Sequence, residues 1–259
     1  MAFTQILLYY IPSFILGFLI VSIALSMAIV GLRFVRKKVS HQKLKTHNDI
    51  AGAIFNTLGV AYAVLLAFVV IVVWQNFDKA KQDVEDEANC LVDLYRDSDA
   101  LGGAFREEVK RLSSGYADAV VGDEWKKMAK ASSSVLAQVA FDRLFAVYAS
   151  YSPATETEKI FFAESVRKLN ELSELRRTRL SEARTGIHPV LWFVLLAGAI
   201  TTIAFTFFFG SDNPKAQILM TTLLATLIAL ILYLIIMFDF PFTGDVSITS
   251  AAFQHVLPH

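Results

Sequence analysis

Four long runs of apolar residues divide the chain, and none of them contains a charged residue or a histidine. A helix needs about 20 consecutive apolar residues to cross the hydrocarbon core of a bilayer. The fourth run alone carries thirteen leucine, isoleucine or phenylalanine side chains, each of which favours membrane insertion. We therefore predict four transmembrane helices, which cover Ile11–Leu32, Ile54–Trp74, Val190–Phe209 and Ile218–Phe238.

The segment between the second and third spans has a helical pattern of a different kind. Its apolar residues recur every three or four positions from Phe77 to Leu94, and neither Gly nor Pro separates them from span two. We therefore predict that the second span continues as one helix to about Asp99. Two later helices are predicted to begin at capping residues, one at Asp123 and one at Ser152.

These patterns predict an all-α membrane protein, in which four transmembrane helices flank an extramembrane helical bundle between spans two and three. The predicted segments are 1–74 with spans one and two and their basic link, 75–187 with the bundle, 188–240 with spans three and four, and 241–259 with a C-terminal turn and tail.

Charge and composition narrow the class of function. The 24 basic and 24 acidic residues cancel, so nucleic acid is not an expected partner, whereas a lipid bilayer is. The chain has no glycine-rich phosphate loop, HExxH pair, Cys–His zinc spacing or GxSxG elbow, so we expect no enzyme, no cofactor and no metal. The acidic cluster from Asp83 to Glu87 is typical of a solvated helix face, and a divalent-cation site is the alternative.

Basic residues are concentrated in the link between spans one and two, where a single acid, Asp49, opposes them. Short basic loops stay in the cytoplasm, while long domains cross regardless of their charge. The rule predicts a multi-pass protein of a bacterial inner membrane, with the bundle on the periplasmic side. The basic residues either anchor this topology or form the basic mouth of a pore. They are Arg33, Arg36, Lys37, Lys38, Lys43 and Lys45.

One face of span two combines small residues, one amide and larger apolar side chains, at three- and four-residue steps. Packing against a neighbouring helix is one interpretation, because small residues permit close approach. The other is a pore lining that narrows from Asn56 to a hydrophobic constriction at Leu66 and Val70. The lack of ionisable residues in the spans argues against coupled transport and is compatible with a passive pore. The face consists of Gly52, Asn56, Gly59, Ala63, Leu66 and Val70.

Three stretches taken together resemble the bacterial bestrophin-like domain family of membrane proteins, namely Val64–Asp97, His188–Gly210 and Asp239–Ile248. The similarity covers most of the chain, from about Gly52 to Phe253. Two motifs carry it, a Trp–aromatic–Glu-Ala–Leu-Tyr-Arg run and a closing Asp-x-Pro-Phe-x-Gly. The first is formed by Trp74, Phe77, Glu87, Ala88, Leu94, Tyr95 and Arg96, and the second by Asp239, Pro241, Phe242 and Gly244.

The closing motif implies that the turn after span four is a fixed structural feature. We expect Asp239 and Pro241 to end the span, and Phe242 to pack back onto the end of the helix. The Gly244–Asp245 pair predicts a tight turn. We also expect Asp239 to accept a hydrogen bond or form an ion pair with the extramembrane helices, with Tyr95 or Arg96 as candidate partners, and an ion site there is the alternative.

The family name refers to bestrophins, which are oligomeric chloride channels with four spans per subunit and a pore lined by the second span. The likeness to bestrophins themselves is architectural, and they hold their helical bundle in the cytoplasm, opposite to the charge rule. The resemblance implies a homo-oligomeric passive ion channel, conducting inorganic ions such as chloride, with span two lining the pore. A non-conducting membrane sensor or scaffold, whose bundle binds a partner, is the alternative.

Overall fold

A computed structural model describes residues 1–254, apart from the side chains of His41 and Lys43. All regular structure in this range is helical and no strand occurs in it, which confirms the predicted all-α class. The α-helices are α1 (Phe3–Tyr10), α2 (Ser13–Lys38), α3 (His41–Lys45), α4 (Asn48–Asp97), α5 (Gly103–Ala119), α6 (Trp125–Met128), α7 (Val135–Ser150), α8 (Glu156–Glu182), α9 (Pro189–Phe205), α10 (Pro214–Asp239) and α11 (Ala251–Gln254).

Four of these helices, α2, α4, α9 and α10, are long and apolar enough to cross a membrane. Their number and order agree with the prediction. Helix α4 runs for 50 residues and continues far beyond its apolar part, as the absence of helix breakers indicated. Helix α9 begins at Pro189, and the preceding His188 caps it, since its Nδ1 accepts a hydrogen bond from the Val190 N–H at 3.3 Å.

The chain forms two compact units, and α4 contributes residues to both. The first, which we call the membrane unit, comprises Tyr10–Gln75 and Ile187–Asp239. The second, which we call the bundle unit, comprises Met1–Tyr9, Asn76–Gly186 and the described residues from Phe240 onward. The N-terminal residues and the C-terminal tail thus fold together with the bundle segment, whereas the sequence boundaries placed them in separate segments.

A buried glutamine joins the N-terminal residues to the rest of the bundle unit. The Gln5 side-chain amide donates to the Ala183 carbonyl at 3.1 Å and to the Thr243 hydroxyl at 3.3 Å. A polar side chain in a core must find partners, and here those partners lie at the end of α8 and in the C-terminal tail. This pairing between distant parts of the chain cannot be derived from hydrophobic periodicity.

The core of the membrane unit lies where α4, α9 and α10 meet. Tyr62 is central to it, because its hydroxyl donates to the Leu195 carbonyl at 2.9 Å while its ring lies over Gly198. A Cβ atom at Gly198 would come within 2.4 Å of that ring, so the helices approach each other only because this residue is glycine. The other buried members are Leu66, Val69, Val73, Leu195, Ala199, Ile228, Leu232 and Ile235.

The core of the bundle unit is built around the second half of α4. The apolar stripe predicted there is buried at Ala80, Val84, Ala88, Leu91 and Leu94. Helices α5, α7 and α8 cover this stripe and contribute the remaining large side chains. These include Val109, Leu112, Tyr116, Phe141, Leu144, Tyr148, Leu169 and Leu172.

Two helix starts differ from the prediction, and hydrogen bonds explain both. Helix α7 is capped by Ser134, whose hydroxyl accepts from the Ala137 N–H, and the carboxylate of Asp123 binds Lys127 and the Ser134 hydroxyl instead of capping. Helix α8 starts three residues later than Ser152 would require. Thr155 and Glu158 form a capping box there, since each side chain accepts from the backbone N–H of the other.

Candidate functional site

The predicted face of span two is only partly free in the structure. Leu66 is 4% exposed and belongs to the core of the membrane unit, so its side chain packs against α9 and α10. Gly59 and Val70 are half-buried, whereas Asn56 and Ala63 are exposed. The face chosen from spacing thus includes one core residue, Leu66, and two exposed residues, Asn56 and Ala63.

A cleft of about 390 Å³ lies beside this face of span two. Gly59, Ala63, Leu66 and Val70 line one side of it, and side chains of α10 line the other. This part of the face therefore borders a cleft within the membrane unit, and at Gly59 an added Cβ atom would meet nothing within 4 Å. The α10 side chains in the cleft are Leu224, Leu227, Ile231 and Leu234.

A different row along span two is uncovered over its whole length. Beginning at Asn56, every fourth residue is exposed through Val60, Val64 and Phe68 to Val72. Residues four apart on a helix are neighbours on one face, so these side chains form one continuous stripe. We call this set the free row.

The basic residues of the first link divide into two groups. Arg36 donates to the Ser211 carbonyl at 3.1 Å and to the Gln217 side chain, and Lys45 forms a 2.5 Å ion pair with Asp212. These two hold the link against the connection between α9 and α10. Arg33, Lys37 and Lys38 are exposed, with the Lys38 ammonium 4.6 Å from the centre of the Phe34 ring. The side chain of Lys43 lies outside the described residues.

The same connection is held by an amide at the start of α4. The Asn48 side chain donates to the Gly210 carbonyl at 2.8 Å and accepts from the Gly210 N–H at 2.9 Å. Such reciprocal bonds fix the side chain and the backbone in one arrangement. The basic link and the 210–217 connection are thus one hydrogen-bonded surface of the membrane unit.

Hydrogen bonds hold the turn after span four in place. Asp239 is buried, and its Oδ1 accepts a hydrogen bond from the Ile187 N–H at 2.6 Å. The Pro241 carbonyl accepts from the Ile248 N–H at 2.8 Å. Gly244 lies in a bend and has φ of +94°, a conformation that favours glycine, and Asp245 beside it is exposed. The hydrogen-bonded turn lies just before it, where the Thr243 N–H donates to the Phe240 carbonyl at 3.1 Å.

Phe242 lies in the core of the bundle unit, not on the end of the last span as expected. Its ring meets that of Trp125 edge to face, with centroids 5.9 Å apart. The Trp125 indole N–H donates to the Ile248 carbonyl at 3.1 Å, so both ends of the turn are fastened to one tryptophan. This position removes almost the whole Phe242 ring from water, which favours it over a place on the end of the helix.

A buried charge network in the bundle unit escaped the sequence-based prediction. Glu87, assigned above to a solvated face, is fully buried, as are Arg179 and Glu124. The Arg179 guanidinium contacts Glu87 at 2.6 and 3.0 Å and Glu124 at 2.9 Å. Arg176 extends the network, donating to Glu124 at 2.7 Å and to Gln138 at 2.5 Å, while the Tyr116 hydroxyl donates to Glu87 at 2.7 Å.

Burial and pairing together set the protonation of this network. Burial alone would lower the pKa of Arg179, and the neighbouring Glu87 carboxylate more than offsets this, so the pKa lies above its ordinary value. Burial raises the pKa of Tyr116 well above its ordinary value, and the Glu87 charge adds to the effect. The network is therefore ionised at the arginine and neutral at the tyrosine over the whole physiological range of pH.

A signal for the network does exist in the sequence. Glu87 occupies a stripe position between Val84 and Leu91, and Arg176 and Arg179 continue the stripe that Leu169 and Leu172 begin on α8. Charged residues at core positions of two helices predict a buried pair. Glu124 also lies four residues from buried Val120 and Met128, but the sequence predicted a helix start at Asp123, whereas a π-helical turn at Val120–Glu124 follows α5 directly. Among the described residues, no cluster of three metal-ligating side chains occurs.

Comparison with known proteins gives a consistent result. A family model described as "Bestrophin-like domain" matches residues 18–253. No curated protein matches the sequence. The fold is similar to that of a bacterial bestrophin homologue from Klebsiella pneumoniae, with a TM-score of 0.68 at 13% identity, over 92% of this chain and 95% of that chain.

Two variants of the Klebsiella pneumoniae homologue are similar to the same degree. One has a TM-score of 0.70 at 14% identity, over 92% of this chain and 95% of the other. The second has a TM-score of 0.69 at 12% identity, over 93% and 96% of the two chains. At such identities the likeness establishes a shared fold, and it does so over almost the whole of each chain.

Proposed function

Since the chain belongs to the Bestrophin-like domain family, we propose that it assembles into a homo-oligomeric passive ion channel whose pore is lined by span two, the membrane part of α4. Membership in this family and the shared fold support a membrane ion channel rather than an enzyme. The pore-lining residues, the permeant ion and the orientation are the further parts of the proposal.

The free row on span two is the observation that carries this proposal. Val60, Val64 and Phe68 are 58%, 48% and 65% exposed, so their own subunit leaves them available to face a central axis. A hydrophobic constriction of this kind gates by dewetting and needs no charge. We propose the constriction at these three residues in place of Leu66 and Val70, because Leu66 is covered by α9 and α10.

Exposed apolar side chains also occur on the other spans, where lipid tails can cover them. Phe18 on α2 and Phe193 on α9 are examples. The free row differs because it begins at Asn56, whose exposed amide lipid tails cannot satisfy. Water or ions in a pore can, which supports Asn56 as the wider, polar end of the pore.

We propose that the permeant ions are anions, with chloride as the simplest candidate. Arg33, Lys37 and Lys38 are exposed around the end of α2, and Arg36 and Lys45 anchor the same link. Repeated in each subunit of an oligomer, such residues would form a ring of positive charge. Anions would be concentrated there and cations repelled.

For orientation we propose that the basic link faces the cytoplasm of a bacterial inner membrane and that the bundle unit lies outside. Cys90 is buried, so replacing it with Ala and placing a cysteine at the exposed Ser152 gives a single accessible thiol. Labelling of intact cells by an impermeant thiol reagent supports the proposal. Labelling only after lysis reverses the orientation and leaves the channel proposal intact.

A non-conducting sensor or scaffold is the second candidate. The bundle unit exposes Val135, Leu136 and Ile160 at 75%, 59% and 70%, and such side chains can form part of a surface for another protein. In that case the spans would only anchor the bundle, and span two would pack in the oligomer without a water path.

The reversal potential under a salt gradient tests the proposal. Purified protein in a planar bilayer, with potassium chloride at different concentrations on the two sides, should pass a current that reverses at the chloride equilibrium potential. Reversal at the potassium potential would retain the channel and refute anion selectivity. No current above that of the lipid, from protein shown to be folded and oligomeric, would favour the scaffold.

A further inference from the structure

Two carboxyl groups face each other in the bundle unit at the end of α8. Asp83 lies on α4, and Glu182 is the last residue of α8. The pairs Glu87–Arg179 and Asp93–Lys168 show that α4 and α8 run antiparallel to each other. Asp83 lies one turn before Glu87 and Glu182 lies three residues after Arg179, so this pairing brings the two carboxyl groups close together. Within the described part of the chain, Asp83 Oδ2 and Glu182 Oε2 are buried and have no hydrogen-bond donor.

A proton between the two groups would satisfy both of these oxygens. Ionised carboxylates have acceptors and no donors, so two of them in contact leave both oxygens unsatisfied. Their like charges also repel, which favours the protonated form of one partner. One proton removes both problems, since the protonated carboxyl group donates to the ionised one.

The surroundings of Glu182 agree with a bound proton. Burial and the charge of Asp83 raise the pKa of Glu182 to about 7, and Lys79 partly opposes them. Both of these neighbouring charges lie on α4. On α8 itself, the nearest network arginine, Arg179, is already paired with Glu87.

We propose that Asp83 and Glu182 share one proton at neutral pH and that this proton fastens the end of α8 to α4. Loss of the proton replaces a hydrogen bond by a contact between two negative charges, so the end of α8 loosens as pH rises. The device is thus a pH-sensitive latch, which we call the carboxyl latch. Because α4 also carries the free row, we expect pH to change conduction as well. Only this expected effect on conduction rests on the proposed function.

The pH dependence of unfolding tests the latch in the full chain in detergent. A carboxyl group with a raised pKa in the folded protein keeps its proton at pH values at which the same group in the unfolded chain has lost it. The stability that the bound proton gives to the folded protein is therefore lost as pH rises through about 7. The melting temperature of the wild type should therefore fall from about pH 5 to about pH 8 relative to that of Glu182→Gln. Glutamine donates at every pH, so this variant should lose that slope and melt higher than the wild type at the upper end.

Two further variants separate the latch from a general loss of charge. In Asp83→Asn the amide at position 83 donates to the Glu182 carboxylate, so this variant should also lose the fall in melting temperature with pH. The test therefore stays usable if one of the two variants fails to fold. Glu85→Gln on the same helix removes an exposed carboxylate that pairs with Lys81, so it should keep the wild-type slope. If Glu182→Gln keeps the wild-type slope, or Glu85→Gln loses it, the latch is refuted.

Infrared spectroscopy gives a second measurement that does not depend on conduction. The carbonyl band of a protonated carboxylic acid should be present at neutral pH in the wild type and missing in Glu182→Gln. Absence of the band refutes the latch even in a conducting protein.

Stabilisation of the wild type by Ca²⁺ at about pH 8, lost in Glu182→Gln, would also refute it, because the oxygens would then hold a cation. If the band is present and currents do not depend on pH, the link to the pore is refuted.

Discussion

The guanidinium of Arg179 and the carboxylate of Glu87 meet in the centre of the bundle unit, with Nε and Oε2 2.6 Å apart and both side chains fully buried. The two residues come from α8 and α4 and lie 92 positions apart in the sequence. Glu124 accepts from the same guanidinium, and the Trp125 ring lies 5.2 Å from its central carbon. The pair therefore joins three helical segments at one point.

Removing the arginine should be strongly destabilising, because two carboxylates would be left buried without their partner. We expect Arg179→Met to lower the free energy of unfolding by about 3–5 kcal/mol. Arg167→Met is the matched control, since Arg167 lies on the same helix and pairs with Glu164 at the exposed surface. Thermal unfolding in detergent should show a large shift for the first variant and none for the second, and equal shifts would contradict a structural role for the network.

The start of α8 tests a local hydrogen-bond pattern. Thr155→Ala removes the hydroxyl that accepts from the Glu158 N–H at 3.1 Å and should cost about 1 kcal/mol. Ser152→Ala changes the residue that spacing alone favoured as the cap, and it should stay within about 0.5 kcal/mol of the wild type. Chemical unfolding of both variants distinguishes the two caps, and a larger loss for Ser152→Ala would return the start of the helix to the sequence-based position.

The four spans and the apolar stripe from Phe77 to Leu94 could be predicted, because the length of an apolar run and the spacing of apolar residues are both local properties of the sequence. The long extension of α4 followed from the absence of Gly and Pro after Trp74. The direction in which span two faces could not be predicted, since Leu66 and Phe68 are equally apolar and only α9 and α10 decide which of them is covered. Glu124 was missed because the sequence predicted a helix start at Asp123, whereas the structure continues from α5 through a π-helical turn at Val120–Glu124.

Two glycines in the membrane unit offer a matched pair for the packing of spans. At Gly198 a Cβ would lie 2.4 Å from the Tyr62 ring, whereas at Gly59 no atom lies within 4 Å of it. Gly198→Ala should therefore force the two helices apart and cost about 1–3 kcal/mol, and Gly59→Ala should cost little. Thermal unfolding of the two proteins in the same detergent measures the difference, and an equal cost would show that the helices do not approach here as described.

The direction of span two is tested by one exposed and one covered side chain, only two residues apart. Phe68→Ala truncates a member of the free row, so it should widen the constriction, raise single-channel conductance and leave stability nearly unchanged. Leu66→Ala empties part of the core and should cost about 2–5 kcal/mol without altering the conductance of the molecules that fold. Single-channel recording and unfolding of both variants give four measurements. If conductance changes in Leu66→Ala and not in Phe68→Ala, the pore lies on the face chosen from spacing, and the cleft beside α10 must open in the oligomer.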